Sequence, residues 1–184
     1  MNGMKRIIEI GQAAIVDDQI SLDHRDKLFE MAIALEYGLG WADNNWNGEV
    51  FLHKTITDGD VSNLLNDYYR DIFKNEWPGF ENYQLKQTLV NCGVPGAVNA
   101  HHRDQWHEPY DDLITILCMV NPRWDSSWGG ELKLWDSRKE MVSTVVPYVP
   151  GRIVAFNGET SHCAGTFAYK APYWRFTIAS WYVL

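Results

Sequence analysis

The chain has 184 residues, of which 46% are hydrophobic and 22% charged, with no long polar tract; that composition excludes a disordered chain and fits one folded domain over 1–184. A net charge of -8 and a pI near 5.1 argue against an extended phosphate-binding surface, which needs clustered Lys and Arg, so nucleic acid is not an expected partner. The apolar run behind Lys5 and Arg6 is broken by Glu9, Gln12, Asp17 and Asp18, so neither a signal peptide nor a membrane span is expected.

In chain order, residues 1–83 read as helical support with edge strands. Apolar residues at 28, 31, 32, 35 and 39 share one helical face, with Ser21 or Asp23 available as N-cap and Gly38 or Gly40 as stop. A second helix is predicted from Val61, Leu64, Leu65, Tyr68, Tyr69, Ile72 and Phe73, with Asp60 as its cap and Pro78 beyond its end. Between them, EVFLHKTI reads as a strand. From about residue 83 the period becomes that of strands: YQLKQTLV alternates, LITILCMV is an apolar run suited to burial on both faces, and ELKLW, VSTVV, RIVAF and WRFTIASWYVL follow. The turn signals GVPG, NPRW, WGG, VPG and NGE separate them. This succession predicts a mainly β chain with N-terminal helices, its core over 84–184 a sandwich or barrel of the jelly-roll kind. Cys92, Cys118 and Cys163 are odd in number and widely spaced. They form neither a disulfide framework nor a CxxC metal pair, which predicts a cytoplasmic location.

The stretch NAHHRDQWHE holds three of the six histidines in the chain. On a strand, residues two apart share a face, so His102 and Asp104 can both reach one metal ion while His101 and Arg103 point away. An HxD pair alone is weak evidence, and on its own a polar strand end is the better explanation. The order of later features shifts the balance: GGELKLW and VPGRIVAF are turns feeding strands, and His162 follows after a short polar loop. Two His and one carboxylate leave open positions on a metal, the arrangement of non-haem Fe(II) oxygenases. Arg175 comes thirteen residues after His162, on a strand whose alternation groups Arg175, Thr177, Ala179 and Trp181. If that face points inward, Arg175 is a buried cation that requires an anionic partner, best a carboxylate gripped by two hydrogen bonds.

With Gly96, HRD, ITILCMVNPRWDSSWGGELKLW, VPGRIVAFNGETSH and RFTIASWY in this order, residues 84–184 resemble the Fe(II)- and 2-oxoglutarate-dependent dioxygenases of the double-stranded β-helix fold, and among them the prolyl 4-hydroxylase type, including the prolyl hydroxylase domains that act on hypoxia-inducible factor. The resemblance implies that His102, Asp104 and His162 are iron ligands and catalytic residues. It makes Arg175 the residue that binds the distal carboxylate of 2-oxoglutarate, with Thr177 a hydroxyl helper. It also implies O2 as a cosubstrate, ascorbate as reductant, and hydroxylation of a C–H bond with release of succinate and CO2. Peptidyl proline is the leading substrate class. A free amino acid or small metabolite is the alternative, and a jelly-roll ligand- or sugar-binding module without redox chemistry is a third reading. In two places the chain departs from the prolyl hydroxylases, with Cys92 and Met119 standing where those enzymes have cosubstrate-contacting tyrosines; Thr115 and Tyr83 are the candidates to replace them. Trp106, His107 and Tyr110 in QWHEPYDD, and Trp124 and Trp128 in PRWDSSWGG, are candidates for a substrate-binding rim or for a simple cover over the barrel mouth. Trp181 stands where the nucleic-acid-demethylating branch carries a second Arg, which argues against that branch.

Overall fold

The computed structural model describes residues 7–10, 13–39, 52–57, 59–74, 77–104, 112–136, 138 and 140–184. Among the described residues, fifteen elements, counting two single-turn 3-10 helices, follow one another. The N-terminal part comprises β1 (Ile7–Ile10), β2 (Ala13–Val16), α1 (Leu22–Ala34), β3 (Gly38–Leu39), β4 (Leu52–Thr55) and α2 (Gly59–Phe73). The rest comprises β5 (Gln84–Gly93), β6 (Leu113–Met119), β7 (Leu132–Trp135), β8 (Val142–Val146), β9 (Ile153–Asn157), β10 (His162–Ala164) and β11 (Arg175–Val183). The strands form an eight-stranded sheet in the order β1-β2-β9-β6-β11-β5-β4-β3 and a three-stranded sheet in the order β10-β7-β8. Every pairing is antiparallel. This is the jelly-roll architecture that the turn spacing predicts, with helices covering one face of the larger sheet.

Two apolar layers follow from the two-residue period of the strands. On β11, Phe176, Ile178 and Tyr182 face the helices; with Ile114, Ile116 and Cys118 of β6 they pack against Leu28, Phe29 and Ala32 of α1 and Leu65, Tyr69, Ile72 and Phe73 of α2. The other face of the sheet meets the small sheet, where Leu89, Leu117, Met119, Val154, Phe156 and Ala179 pack on Leu132, Leu134 and Val146. β6 is buried at all seven positions because it is flanked by β9 and β11 and covered on both faces, which explains its unbroken apolar sequence.

The first helix departs from its predicted span. Ser21 caps it, its side chain accepting from the His24 N–H at 3.3 Å, but the helix ends at Ala34 rather than near Leu39. Leu35 is extended, Tyr37 donates its hydroxyl to the Ala32 carbonyl at 2.5 Å, and Gly38 and Leu39 pair with His53 and Leu52. Strand pairing thus satisfies the backbone that continued helix would have used. Asp60 lies in the first turn of α2 rather than before it. Periodicity also leaves β1 and β2 unread.

Ile178 is completely buried at the centre of β11. Ile178→Ala is expected to lower unfolding free energy by about 2–5 kcal/mol. Urea denaturation would show this as a lower midpoint with an unchanged slope.

Candidate active site

His102 and His162 are directly opposed across an antiparallel bridge, with N–H to carbonyl bonds of 2.9 and 2.8 Å in the two directions. That bridge extends the small sheet past β10 and brings the two rings to a centroid separation of 4.5 Å. Asp104 follows two residues after His102, its N–H bonded to the Gly158 carbonyl at 3.1 Å. Its carboxylate lies 3.7 Å from His102 Nε2 and 3.6 Å from His162 Nε2. One donor atom from each of the three side chains falls within 4.8 Å of the others, a spacing on which a single ion can be held.

Hydrogen bonds around the triad set its chemical state. His162 Nδ1 lies 2.9 Å from the Thr160 carbonyl. A carbonyl can only accept, so Nδ1 carries the proton and the Nε2 lone pair is left toward Asp104. Burial pushes the His162 pKa down against the opposing pull of Asp104, favouring the neutral ring that a metal needs. Thr115, fully buried on β6, donates its hydroxyl to Asp104 Oδ2 at 2.6 Å. Among the described residues, the other carboxylate oxygen has no hydroxyl partner.

The triad lines one cavity with Asn91, Leu117, Thr177 and Arg175. Arg175 is only 4% exposed, and its Nε donates to the Gly130 carbonyl at 2.7 Å. Gly130 has φ +80, and a Cβ there would come within 3.1 Å of Arg175 Cδ and 3.2 Å of Trp124, so glycine allows the backbone this close to the side chain. The guanidinium carbon stands 5.0 Å from the ring centre of Tyr148. Burial draws the Arg175 pKa down, with Tyr148 and Glu131 acting against it. Among the described residues, no carboxylate forms an ion pair with Arg175. The Asn91 side-chain oxygen is likewise buried without a hydrogen-bond partner. A buried cation in a cavity that also holds a His-Asp-His cluster fits a small anionic chelator beside a metal ion, whereas the Asn91 oxygen, an acceptor, calls for a hydrogen-bond donor.

Several sequence candidates lie elsewhere. Cys92 packs in the helix-facing layer, while β5 turns Leu89 and Asn91 to the cavity and pairs Gly93 with Arg175. The position at which the prolyl hydroxylases carry a tyrosine therefore looks away from the site. Thr115 contacts Asp104 and does not line the cavity. Tyr83 sits in the helix-facing layer, stacked on Phe80, and its hydroxyl donates to Asp112; burial and that hydrogen bond push its pKa up to about 12. Met119 lies between the sheets, its sulfur accepting from the Val149 N–H at 3.3 Å. Trp124 packs on Tyr148 and Phe167 and donates to the Gly129 carbonyl at 2.8 Å. With Trp128 it borders an open groove near Arg123 and Lys170, not the cavity of the triad. Trp106, His107 and Tyr110 lie outside the described residues. His101 turns away from the cavity, bonded to Ser161 at 2.7 Å and stacked on Trp135. Sequence reading passed over Asn91 and Tyr148, the first an ordinary strand residue and the second set in a VPYVPG loop with no motif of its own.

Compared with known proteins, residues 88–183 match the model of the 2OG-Fe(II) oxygenase superfamily, and the chain belongs to that family. It is an oxygenase of the class whose members use Fe(II) and 2-oxoglutarate. No curated protein matches the chain. Among solved structures, a Pseudomonas putida prolyl-4-hydroxylase superposes with a TM-score of 0.72 at 15% identity, covering 94% of this chain and 93% of that one. A Trichoplax adhaerens prolyl hydroxylase in complex with a hypoxia-inducible factor oxygen degradation domain peptide gives 0.72 at 17% identity, covering 94% and 83%. A viral collagen prolyl hydroxylase from Paramecium bursaria chlorella virus-1, in complex with 2-oxoglutarate, gives 0.68 at 16% identity, covering 94% and 96%. These likenesses show the jelly-roll fold that the two sheets display.

Thr115→Val removes the hydroxyl on Asp104 while keeping the volume, and is expected to weaken Mn(II) binding by about 10–100-fold. Thr115→Ser should retain most of the affinity. Titration of the metal-free protein, followed by the Mn(II) resonance signal, measures both.

Proposed function

We propose that this chain hydroxylates an unactivated C–H bond, with peptidyl proline the leading substrate class. In this reading His102, Asp104 and His162 hold Fe(II), and Arg175 grips the distal carboxylate of 2-oxoglutarate, with Thr177 beside it on the same strand face. One observation carries it: a buried Arg175 without a carboxylate partner among the described residues shares a cavity with the His-Asp-His cluster. The bound metal and cosubstrate supply the oxidising chemistry, in which O2 is consumed and 2-oxoglutarate leaves as succinate and CO2, with ascorbate keeping the iron reduced.

The chain's own residues provide position and exclusion of water. Asp104 adds a negative charge to the metal and is held by Thr115; His162 is fixed in its tautomer by Thr160. Leu117 and Leu132 form apolar walls of the cavity, which keeps competing water out. A carboxylate in the ligand set favours hydroxylation over halogenation, since a halide would need that coordination position. Peptidyl proline as substrate draws support from the structural neighbours described as prolyl hydroxylases, one of them bound to a peptide. The fold has no described helix long and apolar enough to cross a membrane. Cys92, Cys118 and Cys163 are buried and none is in a disulfide among the described residues, which supports a reducing, cytoplasmic setting.

With Fe(II), ascorbate and 2-oxoglutarate, the purified protein is expected to release succinate, and His162→Ala should reduce this to background; unchanged turnover in that variant would overturn the assignment. Arg175→Lys should raise the KM for 2-oxoglutarate by roughly tenfold, the loss of one charge-assisted hydrogen bond from a two-pronged grip. Mass spectrometry of proline-containing peptides, run against free proline, separates a peptide hydroxylase from a small-molecule one.

A further inference from the structure

A buried arginine ordinarily meets a carboxylate, whereas Arg175 meets the face of Tyr148. The guanidinium carbon lies 5.0 Å from the ring centre. Tyr148 is itself buried, 3% exposed, so the contact is desolvated and at the stronger end of cation–π attraction. The ring is held on both sides. Trp124 packs on it at 4.6 Å between centroids. The Tyr148 hydroxyl lies 2.6 Å from Asn121 Oδ1 and 2.5 Å from the Phe176 carbonyl, and it accepts from the Asn121 N–H at 3.1 Å.

Asn121 in turn donates to the Trp174 carbonyl at 2.8 Å and accepts from the Phe176 N–H at 2.8 Å. These bonds grip the two residues that flank Arg175, so the ring is anchored to the backbone from which the guanidinium departs. Asn121 is wholly buried, which makes each of these bonds costly to break.

We propose that Tyr148 is a positioning residue for the cosubstrate: its ring seats the Arg175 guanidinium without neutralising it, which keeps the outer N–H groups for the distal carboxylate of a 2-oxo dicarboxylic acid. The inference rests on the role given to Arg175 under the proposed function. The physical reason lies in the direction of the two attractions. A carboxylate pairs with a guanidinium in its plane and would occupy the same N–H groups the cosubstrate needs. An aromatic face attracts the cation from above the plane and accepts none of those hydrogens. The Gly130 carbonyl takes the inner Nε–H, so rotation about the end of the side chain is restrained, and among the described residues nothing accepts from the outer N–H groups.

The test compares two keto acids by calorimetry, with Mn(II) in place of iron: 2-oxoglutarate, and 2-oxobutyrate, which has the same chelating head and no distal carboxylate. Tyr148→Leu is expected to weaken 2-oxoglutarate binding by roughly tenfold while leaving 2-oxobutyrate and Mn(II) affinity unchanged. Tyr148→Phe, which keeps the ring, should retain most of the affinity for 2-oxoglutarate. In an Arg175→Leu background, Tyr148→Leu should have no further effect. Tyr148→Met, whose longer and more flexible side chain adapts to the ring's space, carries the same expectation should Tyr148→Leu not fold. A wild type that prefers 2-oxoglutarate, with a Tyr148→Leu variant that keeps that preference or loses affinity for both acids equally, would overturn the inference alone. A wild type that binds the two acids equally would overturn the role of Arg175, and this inference with it.

Discussion

Taking a guanidinium out of water costs several kcal/mol unless its charge and its N–H groups find partners, and Arg175 stands 4% exposed at the first position of β11. The surroundings meet part of that demand with a backbone carbonyl and an aromatic face. Neither removes the charge. The cavity therefore keeps a cation that has no carboxylate ion pair among the described residues, together with three side chains spaced to hold a metal ion. The turn that supplies the Gly130 carbonyl, the packing of Trp124 on Tyr148 and the Asn121 bonds all have their place in relation to that charge.

The cluster at the other end depends on strand pairing rather than on local sequence. His102 and His162 are sixty residues apart and meet because their backbones exchange two hydrogen bonds. Asp104 is brought in by its neighbour's position on the chain and by the Gly158 carbonyl, then turned by Thr115 from the opposite sheet. The backbones of the donors are already fixed by pairing, and Thr160 and Thr115 hold the side chains of His162 and Asp104, so less freedom is lost when a metal binds.

A two-layered arrangement isolates this chemistry. The helices α1 and α2 cover one face of the large sheet with Leu28, Leu65, Tyr69 and Phe73, so its other face can be given over to a cavity without exposing the strands' apolar side chains. On β11 the division runs residue by residue: Phe176, Ile178 and Tyr182 stabilise the helix-facing layer, while Arg175, Thr177 and Ala179 line the cavity.

Alternation and motif order in the sequence were enough to determine which residues could meet: the HxD pair, the later His162 and the inward face that begins at Arg175. Periods of 2 and 3.6 are local properties of the chain, so most long strands, the second helix and the start of the first were legible. The end of α1 at Ala34 was not, because a two-residue strand pairing with β4 decided it. Nor was the direction of Cys92, since which residues of β5 look inward depends on its register with β11. The roles of Thr115 as partner of Asp104, and of Tyr148 as seat for Arg175, belong to the tertiary structure alone. Both contacts join residues from separate strands and loops, and their distances are set by how the sheets and turns pack, which no local spacing encodes.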